Sequence, residues 1–363
     1  MVEVARKIIH CDADCFFAAI EMRDEPSLAG HPIAVGGNPG KRGVISTCNY
    51  RAREFGVRSA MASGQALKLC PDLIIRPHRM AAYQEASQVM RDIFFDYTDH
   101  VEPLSLDEAF LDVTDSDHCQ GSATLMAREI RERIESALAI TVSAGVAPNK
   151  FIAKVASDWQ KPNGLTVIEP DAVAAFVHKL PVGRIGGVGR VTAEKMRRLG
   201  LDTCGHLQTL SQEELTQYFG SFGASLYHLC RGRDERAVKS VRRRKSLSIE
   251  HTYEQDLLDV SACIEQLPLL MEELERRLKR LDEGYQPLKA FVKVKFDDFT
   301  STTLERAGSK PCKQDFQRLL EEAVARGARP VRLLGLGVRL LDLTGEDPTQ
   351  QFELFDAPTA DNA

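Results

Sequence analysis

The sequence lacks any pair of cysteines spaced as Cys-x-x-Cys, so it carries no zinc-ribbon signature. Its nine cysteines are scattered and odd in number, which indicates reduced thiols rather than a disulfide framework. It also lacks an apolar run of membrane-spanning length, and residues 1–10 contain no apolar segment typical of a signal peptide. These absences predict a cytoplasmic protein with no membrane partner.

Charge is distributed unevenly along the chain. The 363 residues carry a formal net charge of −5, which argues against a purely electrostatic nucleic-acid binder. Residues 231–245, however, hold eight Lys or Arg against two acids, and a local basic stripe of this kind can bind a phosphate backbone. The length itself predicts two or more domains with ample core.

Two apolar, strand-like runs contain carboxylates. The run from Lys7 to Phe17 includes Asp12, and the run from Pro103 to Val113 includes Asp107 and Glu108. Acids inside apolar strands are costly unless they bind a cation or a hydrogen-bond donor, and Mg²⁺ prefers carboxylate oxygens. A single Asp at a strand end is equally typical of a turn or a helix N-cap. Because there are two such runs, we expect the three acids to meet around a divalent metal on adjacent strands.

Four motifs occur in a fixed order along the chain. They are Asp12-Ala-Asp-Cys-Phe-Phe, Asn49-Tyr-Arg-Ala-Arg-Glu-Phe-Gly-Val, Ser105-Leu-Asp-Glu-Ala and Lys161-Pro-Asn-Gly. Together they resemble the Y-family DNA polymerases, and the resemblance extends from Lys7 to about Leu343. No single motif is specific, whereas four in this order are highly specific.

The resemblance implies a multidomain α/β (α+β) protein shaped as a right-hand polymerase. The expected parts are a palm (1–14 and 81–168), small fingers (15–80), a helical thumb with a helix-hairpin-helix (169–231), a basic linker (232–245), a little finger (246–343) and a disordered tail (344–363). Residues 246–343 independently show the pattern β-α-β-β-α-β, which is typical of a split βαβ fold.

The implied activity is low-fidelity, template-directed DNA synthesis on primer-template DNA with dNTPs and two Mg²⁺ ions. It would lack a proofreading exonuclease and act in translesion synthesis and DNA repair. Asp12, Asp107, Glu108 and the backbone carbonyl of Ala13 would hold metal, and Glu108 would be the catalytic residue. Two metal ions stabilise both the attacking and the leaving oxygen in such a transfer.

The resemblance also assigns residues around the incoming nucleotide. Phe17 would be a steric gate against a ribose 2′-hydroxyl, with Phe16 and Cys15 beside it. Core packing is the alternative role for Phe17, but Phe16 is the better candidate for packing, and Cys15 is also expected to pack. Three further side chains would contact the triphosphate: Tyr50, Arg53 and Lys161. Arg suits phosphate because its planar fork donates two hydrogen bonds, and Lys serves as a point charge.

Contacts to the DNA backbone are expected at three places. Gly187 and Gly189 would let backbone N–H groups approach a phosphate, although an ordinary turn between helices is the alternative. The basic cluster Arg242, Arg243, Arg244 and Lys245 would contact phosphate or form a solvated tether. Lys293 and Lys295 share one strand face and would make a basic surface on the little finger.

The acidic tail contains the apolar anchors Leu354 and Phe355 after Gln351. This Gln-x-x-Leu-Phe spacing resembles the peptide by which bacterial polymerases dock on the replication sliding clamp. Anchors in a polar tail have no core of their own, so a partner groove is the expected site for them. The alternative is that Phe355 packs on its own domain. The polymerase itself would be a monomer.

Two other functions are compatible with part of the pattern. Phosphatases of the haloacid dehalogenase type also open with an apolar strand and Asp-x-Asp, but they need Thr or Val two residues after the second acid, where Phe16 stands here. A non-catalytic DNA-binding module would use the hairpin and the basic linker, but it leaves the three acids unexplained.

Overall fold

The computed structural model describes residues 5–241, 243–306 and 311–344. These residues divide into two compact units, one formed by residues 5–39 and 43–241 and the other by residues 40–42 and the described residues from 243 onward. Over these described ranges no helix combines the length and apolar character needed to cross a membrane.

The first unit alternates strands and helices. Its strands are β1 (Ile8–Ala13), β2 (Ile33–Gly36), β3 (Ile45–Cys48), β4 (Ile74–Arg76), β5 (Val101–Pro103), β6 (Glu108–Asp112), β7 (Val142–Ala147) and β8 (Leu165–Val167). Its α-helices are α1 (Phe16–Asp24), α2 (Tyr50–Glu54), α3 (Ser63–Leu69), α4 (Met80–Phe95), α5 (Ala123–Leu138), α6 (Lys150–Ser157), α7 (Val173–His178), α8 (Arg190–Arg198), α9 (Cys204–Gln208), α10 (Gln212–Phe219) and α11 (Phe222–Leu229). Short 3-10 helices lie at Pro26–Gly30, Pro39–Lys41, His118–Gly121 and Val182–Arg184.

The palm is a five-stranded sheet in the order β5-β6-β1-β7-β8. Its central strand β1 pairs antiparallel with both β6 and β7, and Asp12 lies directly opposite Glu108. The predicted pairing of the two acidic runs is therefore confirmed. Because side chains alternate along a strand, Asp12 and Glu108 project from the same face of the sheet.

The opposite face of this sheet covers the main hydrophobic core. Ile9 and Cys11 of β1 are fully buried there. Helix α5 packs Met126, Ile130 and Ile134 against them, at the three- and four-residue spacing that puts side chains on one helix face. This core fixes the plane of the sheet and so the position of the acids at its end.

Helix α6 lies unusually close to the face that carries the acids. Gly145 in β7 permits this, because a Cβ atom there would be 2.1 Å from the backbone oxygen of Ala153 and 2.4 Å from the backbone nitrogen of Ser157. Asn149 caps the helix by accepting a hydrogen bond from the N–H of Ile152. The close approach brings the polar side chains of α6 next to the carboxylates.

The fingers form a small three-stranded sheet in the order β3-β2-β4. Strands β2 and β3 pair antiparallel. Ile45, Ala52 and Val57 are among the buried residues of a separate small core here. The helices α7 to α11 pack around another core that includes Val177, Leu207 and Leu226.

The first part of the predicted linker is packed against the palm. The buried carboxylate of Asp234 accepts a hydrogen bond from the N–H of Phe151 at 3.0 Å, at the start of α6. The buried ion pair of Lys150 with Glu102, at 2.5 Å, also contacts this segment, since Glu102 accepts the N–H of Lys239. Residues 234–239 of the predicted linker are therefore packed in place and are not a solvated tether.

The second unit is the predicted β-α-β-β-α-β fold. It comprises β9 (Ser246–Leu257), α12 (Val260–Glu265), α13 (Leu267–Leu278), β10 (Tyr285–Phe296), β11 (Ser301–Arg306), α14 (Lys313–Gly327) and β12 (Val331–Asp342). The sheet order is β11-β10-β12-β9 and every neighbouring pair is antiparallel. Strands β9 and β10 therefore run parallel with β12 between them, which confirms the split βαβ arrangement.

One element differs from the sequence prediction. The sequence pattern predicts a single helix from Val260 to Leu281, whereas the structure has two helices that meet at Gln266. Pro268 lies in the first turn of the second helix, where its missing N–H is tolerated, but it cannot continue the preceding helix. The prediction was wrong here because the apolar periodicity continues across the break.

Candidate active site

The acidic end of the palm sheet is built by backbone pairing. Asp12 and Glu108 are direct partners in the β1–β6 ladder. The N–H of Ala13 donates to the carbonyl of Asp107 at 2.9 Å, which holds Asp107 beside the end of β1. The predicted metal residues are therefore neighbours, and their placement follows from strand register rather than from side-chain contacts.

Each of these carboxylates has a cation or a donor as partner. Lys161 pairs with Asp12 at 2.5 Å, Lys154 pairs with Glu108, and Ser105 donates to Asp107 at 2.5 Å. The positive charges offset repulsion between acids that lie close together. Within the described residues no three His, Cys, Asp or Glu side chains converge as a metal-binding group.

Burial and neighbouring charge shift the pKa values of Asp12 and Glu108 in opposite directions. Burial raises the pKa of Asp12 to about 6; Lys161 opposes this rise, and the nearby carboxylates add to it. Burial alone would raise the pKa of Glu108, but hydrogen bonds from His10 and Lys154 outweigh it and lower the pKa to about 2. Glu108 is therefore ionised at neutral pH.

His10 connects the helix α6 to the acidic end of the sheet. It is fully buried, its Nδ1 lies 2.8 Å from the Ser157 hydroxyl oxygen, and its Nε2 lies 3.3 Å from a Glu108 oxygen. Burial lowers the pKa of His10 to about 4, so the ring is neutral at pH 7. Its contact with Glu108 is thus a contact with a neutral imidazole rather than an ion pair.

The donor set fits a hard divalent cation. Asp12, Asp107 and Glu108 provide carboxylate oxygens, the ligands that Mg²⁺ prefers. Burial is the main cause of the raised pKa of Asp12, with a smaller contribution from Asp107 and Glu108, and a bound divalent cation would favour the ionised carboxylate. Lys154 and Lys161 would have to release their carboxylates for these oxygens to coordinate an ion.

A cavity of about 300 Å³ opens next to these acids. Eight predicted site residues line it: Asp12, Ala13, Cys15, Phe16, Phe17, Arg53, Asp107 and Lys161. Glu108 and Tyr50 are not among its lining residues. The cavity also has a polar side formed by Ser46, Thr47 and Ser59, which the sequence analysis did not single out.

Phe17 is held rigidly at the cavity wall. Its ring stacks on Tyr83 with centroids 4.2 Å apart and an interplanar angle of 14°. Tyr83 is itself fully buried and donates its hydroxyl to Glu21 at 2.7 Å. Phe16 and Cys15 line the cavity but are mostly buried, so both also pack in the core. Cys15 adopts a left-handed backbone conformation with φ of 43°, which is uncommon for a residue other than glycine.

The second acid of the first motif, Asp14, is structural. Its buried carboxylate accepts hydrogen bonds from Thr141, Ser143, the N–H of Asn163 and the hydroxyl of Tyr50. Four donors satisfy the carboxylate, so it has no need of a cation. It also fixes Tyr50, and the guanidinium of Arg53 lies 4.6 Å from the centre of that ring.

The predicted hairpin glycines lie between the 3-10 turn at Val182–Arg184 and α8. Gly187 has a φ of +90°, a conformation that favours glycine, and a Cβ atom there would lie 3.1 Å from the Phe222 ring. Gly189 is the N-cap residue of α8, and a Cβ atom there would meet no atom within 4 Å. Its surroundings are open, as a contact to phosphate requires.

Of the two predicted basic residues on the sheet of the second unit, one is paired with an acid. Lys293 and Lys295 do share the sheet face that the helices leave open, because the alternate residues Val292 and Val294 are buried. Lys293, however, reaches across Gly335 to Glu250, with nitrogen–oxygen distances of 2.8 and 3.0 Å. The face is therefore less basic than the sequence indicates.

The predicted basic cluster lies at the start of the second unit. Arg243 lies 3.4 Å from a carboxylate oxygen of Asp342, and the N–H of Arg244 donates to the hydroxyl of Tyr285. Arg242 and the clamp-binding residues Gln351, Leu354 and Phe355 are outside the described residues.

Two residues of the site escaped the sequence analysis, namely His10 and Lys154. A signal for each is present in the sequence. His10 precedes Asp12 by two residues and so shares its strand face, and Lys154 stands with Lys150 in an otherwise apolar helix. A lysine in an otherwise apolar helix that follows an acidic strand indicates a charge partner.

Comparison with known families defines the class of protein. The impB/mucB/samB family model matches residues 11–158, its C-terminal domain matches residues 244–354, and the DNA polymerase-iota thumb domain matches residues 183–234. A Y-family DNA polymerase chimera of Dbh and Dpo4 covers 92% of this chain and 98% of its own, with a TM-score of 0.83 and 29% identity. An insertion ternary complex of Dbh DNA polymerase covers 93% of this chain and 99% of its own, with a TM-score of 0.66 and 27% identity. The chain belongs to the Y-family DNA polymerases.

Within that family its curated relatives carry the name DNA polymerase IV. The protein of Pseudomonas entomophila (strain L48) is 60% identical over 350 residues, which are 96% of this chain and 98% of that protein. The protein of Pseudomonas syringae pv. tomato (strain ATCC BAA-871 / DC3000) is 59% identical over 350 residues, or 96% and 99% of the two chains. The chain is thus a metal-dependent, DNA-directed DNA polymerase of the translesion type that binds DNA and nucleotide. Neither the phosphatase nor the non-catalytic DNA-binding module is supported.

Proposed function

We propose that this chain adds dNTPs to a primer 3′ end at the acidic end of the palm sheet, with two Mg²⁺ ions held by Asp12, Asp107, Glu108 and the carbonyl of Ala13. The observation that carries the proposal is the register of β1 and β6, which places Asp12 opposite Glu108 beside the cavity. When bound, the two ions would stabilise the attacking and leaving oxygens of the transfer.

The side chains around the cavity bind different parts of the nucleotide. Lys161 and Arg53 provide positive charge for the triphosphate, and Tyr50, fixed by Asp14, supports Arg53 through its ring. Phe17 forms the wall next to the sugar. In the free protein Lys161 is paired with Asp12, so nucleotide binding would exchange one anionic partner of this lysine for another. Such an exchange keeps its buried charge compensated throughout.

The side chain of Glu108 is positioned by contacts with His10 and Lys154. The neutral ring of His10 contacts the carboxylate from the sheet, and Lys154 contacts it from α6. These contacts limit the rotamers of Glu108, and a fixed ligand is a prerequisite for a well-defined metal geometry. We assign Glu108 to the ion beside the primer 3′-hydroxyl and regard it as the catalytic residue.

Removal of metal tests this proposal. At a fixed total dNTP concentration and low free Mg²⁺, we expect an excess of chelator to abolish primer extension and added Mg²⁺ to restore it. If two ions act, the rate of single-nucleotide addition will rise more steeply than the first power of free Mg²⁺. Extension that persists in excess chelator, or a strictly first-power dependence, would contradict the two-ion site. Parallel assays of p-nitrophenyl phosphate turnover and of gel shift separate polymerase activity from phosphatase activity and from binding alone.

The tail is proposed to dock on the sliding clamp through Gln351, Leu354 and Phe355. The support is the spacing of these anchors in an acidic segment, and docking would raise processivity by increasing the effective concentration of a monomeric polymerase at the primer end. We expect the double variant Leu354→Ala, Phe355→Ala to lose clamp binding and clamp-stimulated processivity, while extension of short primers without clamp is unchanged. Clamp binding equal to that of the unmodified protein would refute the assignment. We also propose that the polymerase acts in the cytoplasm, where it would meet primer-template DNA and the sliding clamp.

Backbone contacts to the DNA are proposed for the thumb hairpin and for the basic residues of the second unit. Gly189 presents an open backbone at the start of α8, and Gly187 lies two residues before it, next to the Phe222 ring. In the second unit the proposal concerns Lys293, Lys295 and the cluster Arg242, Arg243, Arg244 and Lys245. Lys293 would have to leave Glu250 to reach a phosphate. Contacts of this kind position the duplex without reading its sequence.

A further inference from the structure

The turn between β10 and β11 presents an exposed aromatic ring in a strained conformation. Phe299 is 60% exposed, and its φ is +68°. A bulky residue in this left-handed region is a genuine outlier, and residues held there cluster at functional sites. Both the exposure and the backbone conformation disfavour phenylalanine, so folding alone does not account for its presence.

The turn is fixed by hydrogen bonds on both sides of the ring. The N–H of Phe299 donates to the carbonyl of Phe296, and the N–H of Phe296 donates to the carbonyl of Thr300, at 3.0 and 2.9 Å. Asp298 accepts hydrogen bonds from both the N–H and the hydroxyl of Thr300. The N–H of Asp297 donates to the carbonyl of Pro330 at the start of β12. These hydrogen bonds make the turn rigid, and the turn keeps the Phe299 ring exposed to solvent.

Two cations flank this ring. The Lys295 nitrogen lies 5.0 Å and the Arg332 guanidinium carbon 4.6 Å from the ring centre, both within the range of a cation–π contact. The carboxylate of Asp298 in the same turn is paired with Arg329. The pKa of Asp256 in β9 is lowered by a hydrogen bond from Arg42 and also by the charge of Arg332. An exposed ring with a cation on each flank matches the chemistry of a single nucleotide, which has a flat base and an anionic phosphate.

We propose that Phe299, Lys295 and Arg332 form a binding site for one unpaired nucleotide of the single-stranded template ahead of the primer end. The base stacks on the Phe299 ring, and the two cations contact the flanking phosphates. A duplex offers phosphates but no free base face, so only an unpaired base explains the aromatic ring. A partner protein would require a larger apolar patch than one ring between two cations. The inference rests on the DNA polymerase activity but not on the assignment of the metal site.

The test compares two DNAs that share one duplex, the first with a long 5′ template overhang and the second blunt. Fluorescence anisotropy gives the dissociation constant of the full chain for each DNA. Because stacking of a base on an aromatic side chain contributes ~1–3 kcal/mol, the variant Phe299→Gly should bind the overhang DNA roughly tenfold more weakly and the blunt duplex as before. Phe299→Trp should keep the affinity. A second exposed phenylalanine, Phe95 (48% exposed), provides the matched control Phe95→Ala, which should change neither constant.

The variant Phe299→Gly also controls for an effect on folding. Glycine tolerates the positive φ, so Phe299→Gly should keep or raise the melting temperature, and a weaker affinity then reflects lost binding. In addition, a 2-aminopurine base moved along the overhang should be quenched at one position, and this quenching should disappear in Phe299→Gly. An equal loss on the blunt duplex, or no loss on either DNA, would overturn the proposal. Failure of the unmodified chain to extend primers, with the dissociation constants of Phe299→Gly changed as expected, would instead contradict the proposed polymerase site.

Discussion

Replacing Glu108 by glutamine will abolish nucleotide addition while DNA binding survives. Glutamine keeps the shape of the side chain and can still accept a hydrogen bond from Lys154, but it removes the negative charge opposite Asp12. A metal ion in such a site supplies several kcal/mol of transition-state stabilisation, so we expect the rate of single-nucleotide addition to fall by on the order of a thousandfold. Asp107→Asn should have a similar effect. The loss of a negative charge will not weaken the affinity for an anionic DNA.

The strand itself offers the matched control. Asp112 lies on the same face of β6 as Glu108, but at the other end, where its carboxylate accepts a hydrogen bond from the N–H of Thr114 at 3.1 Å. Asp112→Asn keeps an acceptor oxygen at that position and should extend primers at the normal rate. Pre-steady-state extension and gel shift on the same preparations separate chemistry from binding. Near-normal extension by Glu108→Gln would remove Glu108 from the metal site.

Replacing Phe17 by alanine will admit ribonucleotides. The ring forms the wall of the cavity and is held by its stack on Tyr83, so it does not move aside for an extra hydroxyl. Without the ring, the space next to the sugar opens. We expect the ratio of rNTP to dNTP incorporation, each expressed as kcat/KM, to rise on the order of a hundredfold, since overlap with a rigid wall costs about 1–3 kcal/mol or more.

Two further variants test whether the rigidity of the Phe17 ring causes the selectivity against ribonucleotides. Phe17→Tyr keeps the ring and the stack and should leave the ratio unchanged. Tyr83→Leu leaves Phe17 in place but removes its support, so the ratio should rise by less than in Phe17→Ala. If the ratio in Phe17→Ala equals that of the unmodified chain, Phe17 is not the gate.

The sequence predicted the layout of the site because the relevant signals are local. Carboxylates in two apolar runs indicated strands that had to pair, and the observed register of Asp12 with Glu108 agrees. Alternation of apolar and polar residues placed Lys293 and Lys295 on one face. The β-α-β-β-α-β order of the second unit followed from the same periodicities.

Errors and omissions arose where a local pattern did not decide the outcome. The break before Pro268 was missed because the apolar spacing of the two helices is continuous. Strands β4, β5 and β8 have three residues each, too few for a periodic signal, and they form only because neighbouring strands pair with them.

The amino-acid sequence by itself determined which strands carry the acids, which residues alternate into the cores and which family the motifs resemble. The tertiary structure alone decided which cation compensates which acid. Lys154 meets Glu108 because Gly145 lets α6 pack closely on the sheet, and Lys161 meets Asp12 from the segment that follows α6. Lys293 meets Glu250 because Gly335 leaves a gap between them. Such pairings depend on distances between segments that are remote in sequence. Periodicity reports only how a segment is oriented, whereas packing sets how close two segments come.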